Sequence, residues 1–220
     1  MSRAGPLIVA VDGPAASGKT TLARRLASEL GLEFLDTGLL YRAVARALLD
    51  GGRSFEDARA AAAAAAHLRA DDLAAPGLRQ EAVSQGASRV AAIPEVRRAL
   101  LAFQRRFGAG GPGAVLAGRD IGTVVRPDAA AKIFVTASTE ERARRRCKEL
   151  QAETAPIIYE QVLEDLRERD ARDQSRAVAP LLPADDAFVL DTTDKDIETA
   201  FAIAWAYVEG AARRAACRPV

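Results

Sequence analysis

Leu7-Ile8-Val9-Ala10-Val11-Asp12-Gly13-Pro14-Ala15-Ala16-Ser17-Gly18-Lys19-Thr20-Thr21 joins an unbroken apolar run to a loop bounded by glycines. Five consecutive apolar residues rich in branched side chains read as a short strand buried on both faces, the pattern of a parallel sheet. Gly13 to Thr20 then satisfies G-x-x-x-x-G-K-[ST] at every fixed position. Glycine at both ends lets the backbone curl until successive N–H groups face an anion at the start of a helix, where the helix dipole is positive. The loop therefore predicts binding of nucleotide phosphates. Lys19 is placed to reach the β and γ oxygens, and the Thr20 hydroxyl suits Mg2+ as the ion accompanying ATP. Gly13, Pro14, Ala15, Ala16, Ser17, Gly18, Lys19, Thr20 and Thr21 form the candidate ATP-binding set.

Working outward, strands alternate with helices. Strands are expected at 7–11, 33–35, 114–116, 132–136 and 188–190. Helices are expected at about 19–30, 39–49, 79–91, 94–107, 157–173 and 194–211, with Gly51-Gly52 stopping the second. Ser54 with Asp57 predicts a capping box opening an Ala-rich helix that His67 ends, and 70–78 reads as loop. Ser138 with Glu141 predicts a second box, opening a basic helix that runs to about 153 and breaks at Thr154-Ala155-Pro156. Such alternation predicts a three-layer α/β fold: a mostly parallel sheet, helices on both faces and a ligand crevice at the carboxyl ends of the strands. One domain with a single core is expected for 1–220, without repeats.

Composition narrows the function classes. Lys occurs only at 19, 132, 148 and 195, so 27 of the 31 basic residues are Arg. Arg forks grip phosphate oxygens bidentately, although a plain compositional bias toward Arg and Ala gives the same excess. A net charge of +1 and 5% aromatic residues argue against a nucleic-acid-binding surface. Cys147, Cys217 and the single His67 lack the spacing of a zinc site. No run is long and apolar enough for a membrane span and no signal-peptide pattern opens the chain, so a cytoplasmic monomer is expected.

Polar clusters elsewhere bear on the acceptor. Asp36-Thr37-Gly38 with Tyr41-Arg42, and Gly118-Arg119-Asp120, both follow strands and so fall at the edge that carries the phosphate loop. Arg169, Arg172, Asp173 and Arg176 have spacings that share one helical face if the helix persists that far. Arg142, Arg144, Arg145 and Arg146 cannot all share one face, and one or two are expected to matter. Surface turns and solvated charge faces remain the plain readings of these clusters.

Together, V-D-G-P-x-x-S-G-K at 11–19, L-D-T-G-x-x-Y-R at 35–42, A-S-R-V-A-A-I-P-E-V-R at 87–97, G-R-D-I-G-T-V-V at 118–125 and R-D-A-R-D-Q-S-R-A-V-A-P-L at 169–181 closely resemble the bacterial-type cytidylate kinase family, in the family's order. That resemblance implies transfer of the ATP γ-phosphoryl to CMP or dCMP with Mg2+. It implies that Lys19, Arg119, Arg169 and Arg176 serve the transfer. Thr37, Arg42, Ser88, Arg97, Arg119, Asp120, Arg169, Asp173 and Arg176 would hold the acceptor nucleotide. It further implies an acceptor-binding region at about 37–107 and a mobile lid at about 142–172. Two departures stand out. Ala117 occupies a position where the family usually carries an acid suited to Mg2+, for which Asp12 or Asp36 could compensate, and 69–86 is short where many members insert a β-rich piece. Those departures leave two alternatives, a catalytically weak nucleotide-binding relative and a kinase for another small acceptor such as UMP or shikimate.

Overall fold

The computed structural model describes residues 5–150 and 157–216. The expected break at 154–156, the end of the basic helix, and Cys217 lie outside them. Five parallel strands, β1 (Leu7–Asp12), β2 (Glu33–Asp36), β3 (Gly113–Gly118), β4 (Ala131–Thr136) and β5 (Phe188–Asp191), form one sheet in the order β2-β3-β1-β4-β5. Neighbours with strands β2 and β4 on either side of the β3-β1 pair make the sheet doubly wound, so ligands are expected where the order reverses.

The run in β1 is continuous because both of its faces are covered. Val9 and Val11, with Val115 and Ala117 of β3, pack under α1 (Lys19–Leu30) through Leu22, Ala23 and Leu26. Ile8, Ala10, Ala114 and Leu116 face the other way, against Ile121, Val125 and Leu101. Each fully buried Val, Leu or Ile in these layers contributes roughly 1.5–3 kcal/mol.

The remaining helices are α2 (Thr37–Asp50), α3 (Ala58–Ala66), α4 (Glu81–Val90), α5 (Pro94–Arg106), α6 (Thr139–Leu150), α7 (Tyr159–Gln174) and α8 (Ile197–Ala216). The expectation of one core needs correction. Leu40, Val44, Leu48, Val83, Val90, Val96 and Leu100 of α2, α4 and α5 form an apolar cluster of their own, because these helices bury their stripes on each other. Ala15, Ala143, Val162 and Leu166 form a small fourth cluster that joins α6 and α7 to the phosphate loop.

Several local expectations also change. Asp57 alone caps α3, accepting from the Ala60 N–H at 2.9 Å, while Ser54 turns to Glu56. Asp36-Thr37-Gly38 is a helix start rather than a free turn, since the Asp36 carboxylate accepts from the Gly38 N–H at 3.0 Å. Residues 70–74 form a 3-10 turn where a loop was expected. At α6 only half of the box forms: Ser138 Oγ accepts from the Glu141 N–H, but Glu141 reaches forward to Arg144 and Arg145. Helix α8 begins at Ile197, later than 194, because Asp196 takes the cap by accepting from the Thr199 N–H. His67 ends α3 as expected.

Candidate functional site

The phosphate loop lies between β1 and α1, and its backbone adopts the conformations that its small residues permit. Gly13 has φ +151°, Ala16 φ +57° and Gly18 φ +87°, the last capping α1. A Cβ on Gly13 would stand 2.0 Å from the Val135 carbonyl oxygen, so β4 comes within contact of bare backbone there. Buried Lys19 donates to the Pro14 carbonyl at 2.8 Å. Burial first, then Arg119, pulls its ammonium well below the ordinary range, while Asp36 opposes the shift. Ser17 Oγ is buried and without a hydrogen-bond partner. Ala15, Ala16, Gly18, Lys19, Thr20 and Thr21 open onto a cavity of about 710 Å³.

Across that cavity stand Arg42, Arg79, Arg119, Arg146 and Arg169, with Asp36 and Glu81 as nearby carboxylates. Burial first, then Arg119, presses Arg169 below its ordinary range, while Asp173 opposes the shift. A second, smaller pocket adjoins the first and shares Gly38, Arg119 and Arg169 with it. Its wall contains Thr37, Tyr41, Ser88, Arg97, Asp120, Asp173 and Arg176. Asp173 organises this wall. It accepts from Ser88 Oγ at 2.9 Å and from Arg119 Nε at 3.0 Å, and it pairs with Arg176 just beyond the end of α7. Burial opposes its charge, but Arg119, Arg176 and Arg169 outweigh burial and hold the carboxyl at about 2. Asp120 pairs with Arg97, whose guanidinium lies 5.7 Å from the centre of the Tyr41 ring.

The family model for cytidylate kinase matches residues 9–209. The chain belongs to the cytidylate kinase family. It is 60% identical over 205 residues to the cytidylate kinase of Methylocella silvestris, covering 93% of this chain and 95% of that one. It is 61% identical over 200 residues to that of Paramagnetospirillum magneticum, covering 90% and 95%. Among solved structures, an uncharacterized protein from Eubacterium ventriosum superposes with a TM-score of 0.56 at 13% identity, covering 92% of this chain and 98% of that one, a likeness of fold alone. Membership makes the chain an ATP-dependent nucleoside monophosphate kinase.

The larger pocket opens on the phosphate loop, and the smaller one lies against α4, α5 and the end of α7. Every acceptor candidate lines one or both: Arg42 the larger, Arg119 and Arg169 both, and the others the smaller. The two carboxylates named as supporters of Mg2+ separate. Both Asp12 oxygens accept backbone N–H bonds, from Ile121 at 2.8 Å and Gly122 at 2.7 Å, and burial pushes its carboxyl up to about 7 against them. Asp12 thus fixes the π-helical turn Ile121–Val125 that follows Asp120, and it lines neither pocket. Asp36 keeps one oxygen on the α2 cap and, like Thr20, lines the larger cavity. With the Thr20 hydroxyl and one carboxylate as hard oxygen donors, the site fits an Mg2+ that takes its other ligands from phosphates and water. Ala117 is wholly buried in the apolar layer under α1 and cannot take part.

Of the four clustered arginines, each has its own environment. Buried Arg142 holds the Ala137 carbonyl at 3.0 Å and Asp170 at 2.6 Å, and Arg145 holds the Thr192 carbonyl at 2.6 Å. Arg144 is exposed, and Arg146 lines the cavity. Sequence reasoning missed Arg79, Glu81 and Gln85 as cavity residues. The spacing of Glu81, Gln85 and Ser88, four and then three residues, was the available sign that all three share one face of α4.

Proposed function

We propose that the chain transfers the γ-phosphoryl of ATP to CMP or dCMP, giving ADP and the pyrimidine diphosphate. The observation that carries this reading is the sharing of Arg119 and Arg169 between the two pockets. Two guanidiniums at the junction face both the donor γ-phosphate and the acceptor phosphate, so they can neutralise the charge that spreads over the transferred group. An acceptor phosphate oxygen forms the new P–O bond, the β–γ bridging bond breaks, and ADP leaves with that electron pair. No covalent enzyme intermediate is needed because the acceptor is already ionised.

Lys19 follows the β and γ oxygens, and the N–H groups of 13–18 cradle the chain of phosphates. Thr20 with Asp36 would hold Mg2+, which when bound neutralises charge on the β and γ oxygens. Arg42 meets the acceptor phosphate. Thr37, Ser88, Arg97, Asp120, Asp173 and Arg176, which line the smaller pocket together, hold the rest of the acceptor nucleotide. Residues 37–107 then serve as the acceptor region and 142–172 as a lid that excludes water. A monomer working in the cytoplasm, where both nucleotides occur, completes the reading.

The test is an ADP-release assay with Mg-ATP against CMP, dCMP, UMP, AMP and shikimate. Preferred turnover of CMP or dCMP, abolished in Lys19→Ala, is the expected result. Preference for UMP or shikimate overturns the acceptor assignment, and failure of every acceptor overturns the reaction.

A further inference from the structure

One face of α4 is bonded to both helices of the lid. Arg146 of α6 donates to Glu81 Oε2 at 2.6 Å, and the other Glu81 oxygen accepts from Gln85 Nε2 at 2.9 Å. Gln85 Oε1 accepts in turn from Arg172 Nη2 of α7 at 2.7 Å. One turn further along the same face, Ser88 donates to Asp173 of α7. Positions 81, 85 and 88 lie four and then three residues apart, so a single helical stripe carries every one of these bonds. Glu81, Gln85 and Arg146 line the larger cavity, whereas Ser88 and Asp173 line the smaller one. The stripe therefore begins where donor phosphates sit and ends where the acceptor nucleotide sits.

We propose that Glu81 and Gln85 are positioning residues that couple occupation of the acceptor pocket to placement of Arg146 at the phosphate cavity. The inference rests on the two-pocket reading given above. An acceptor that engages Ser88 and Asp173 holds α4 and α7 together at one end of the stripe. Gln85 and Arg172 carry that register to Glu81, whose second oxygen fixes Arg146. An isolated surface ion pair would contribute little, but here each Glu81 oxygen has its own partner, and Arg146, 15% exposed against 38% for Glu81, also donates to Glu149 at 3.0 Å.

The experiment measures binding of a non-hydrolysable ATP analogue with Mg2+, by calorimetry, with and without saturating CMP. It compares the intact chain with Glu81→Gln and Gln85→Leu, whose folding is checked by thermal unfolding. In the intact chain CMP should tighten analogue binding by about tenfold or more, within the usual range of coupling between sites. In both variants that factor should fall toward one, while the affinity for CMP alone stays within about twofold, since neither residue lines the smaller pocket. Coupling retained in either well-folded variant overturns the relay. Loss of CMP affinity by itself also overturns it, by making Glu81 or Gln85 a direct contact. If the intact chain binds no CMP, the acceptor reading falls together with the relay; if it binds CMP without coupling, the relay alone falls.

Discussion

Asp36 and Ala117 are register partners in the parallel ladder of β2 and β3, and the Thr37 hydroxyl donates to the Ala117 carbonyl at 2.9 Å. The methyl at 117 turns into the apolar layer under α1, and the carboxylate that lines the cavity belongs to its neighbour. Asp36→Asn keeps the carbonyl oxygen that caps α2 and removes only the charge. It should leave the melting temperature nearly unchanged, lower kcat by about 10- to 100-fold and raise the Mg2+ concentration needed for half-maximal rate. Unchanged Mg2+ dependence in a steady-state titration removes Asp36 from the metal site.

Lys19 is a cation buried against a carbonyl oxygen, with its charge disfavoured first by desolvation. Lys19→Met keeps the length of the side chain and discards that cost. Urea unfolding without nucleotide should show equal or higher stability, by about 1 kcal/mol, because a buried charge without a carboxylate partner is a liability to the fold. Turnover should fall on the order of a thousandfold, since the lost ammonium follows charge that develops in the transition state. A variant that is both inactive and markedly less stable would show that Lys19 holds the loop together rather than serving the reaction.

At Gly13 the left-handed backbone and the nearby β4 carbonyl act together. Gly13→Ala must move either β4 or the loop, at a cost of roughly 3 kcal/mol. For a chain of this size that corresponds to about a 10 °C fall in melting temperature, together with loss of ATP binding. A melting temperature within two or three degrees of the parent would mean that the loop rearranges freely.

These positions separate what was legible in the sequence from what was not. The strand, loop and first helix could be read because apolar run, glycine spacing and helix start are local and agree with one another. The sheet order and the helical cluster of α2, α4 and α5 depend on which apolar stripes meet, which periodicity does not specify. Asp12 looked like a metal supporter by its place at a strand end. Its two amide partners, Ile121 and Gly122, lie more than a hundred residues away, so only the fold reveals that its oxygens are taken. Ser54 and Asp57 both fit a cap, and geometry gave it to Asp57. The Arg146-Glu81-Gln85-Arg172 chain was hidden because three helices distant in sequence supply it, although its spacing on α4 was visible.

Asp173 has an acid dependence whose sign is fixed by its surroundings. Its carboxyl is held at about 2, below the ordinary 3.8, by Arg119, Arg176 and Arg169 acting against burial. A depressed carboxylate contributes stability that is fully present above the unfolded value, near pH 4, and is lost as pH falls through about 2. For a group this deeply buried the shift corresponds to about 2 kcal/mol. Asp173→Asn should therefore be less stable than the parent at pH 7, since it leaves Arg119 and Arg176 without their shared anion. The gap between the two urea unfolding curves should narrow steadily from pH 4 toward pH 2. A gap that stays constant across that range would mean that Asp173 titrates at its ordinary value, and that the three arginines act on something else.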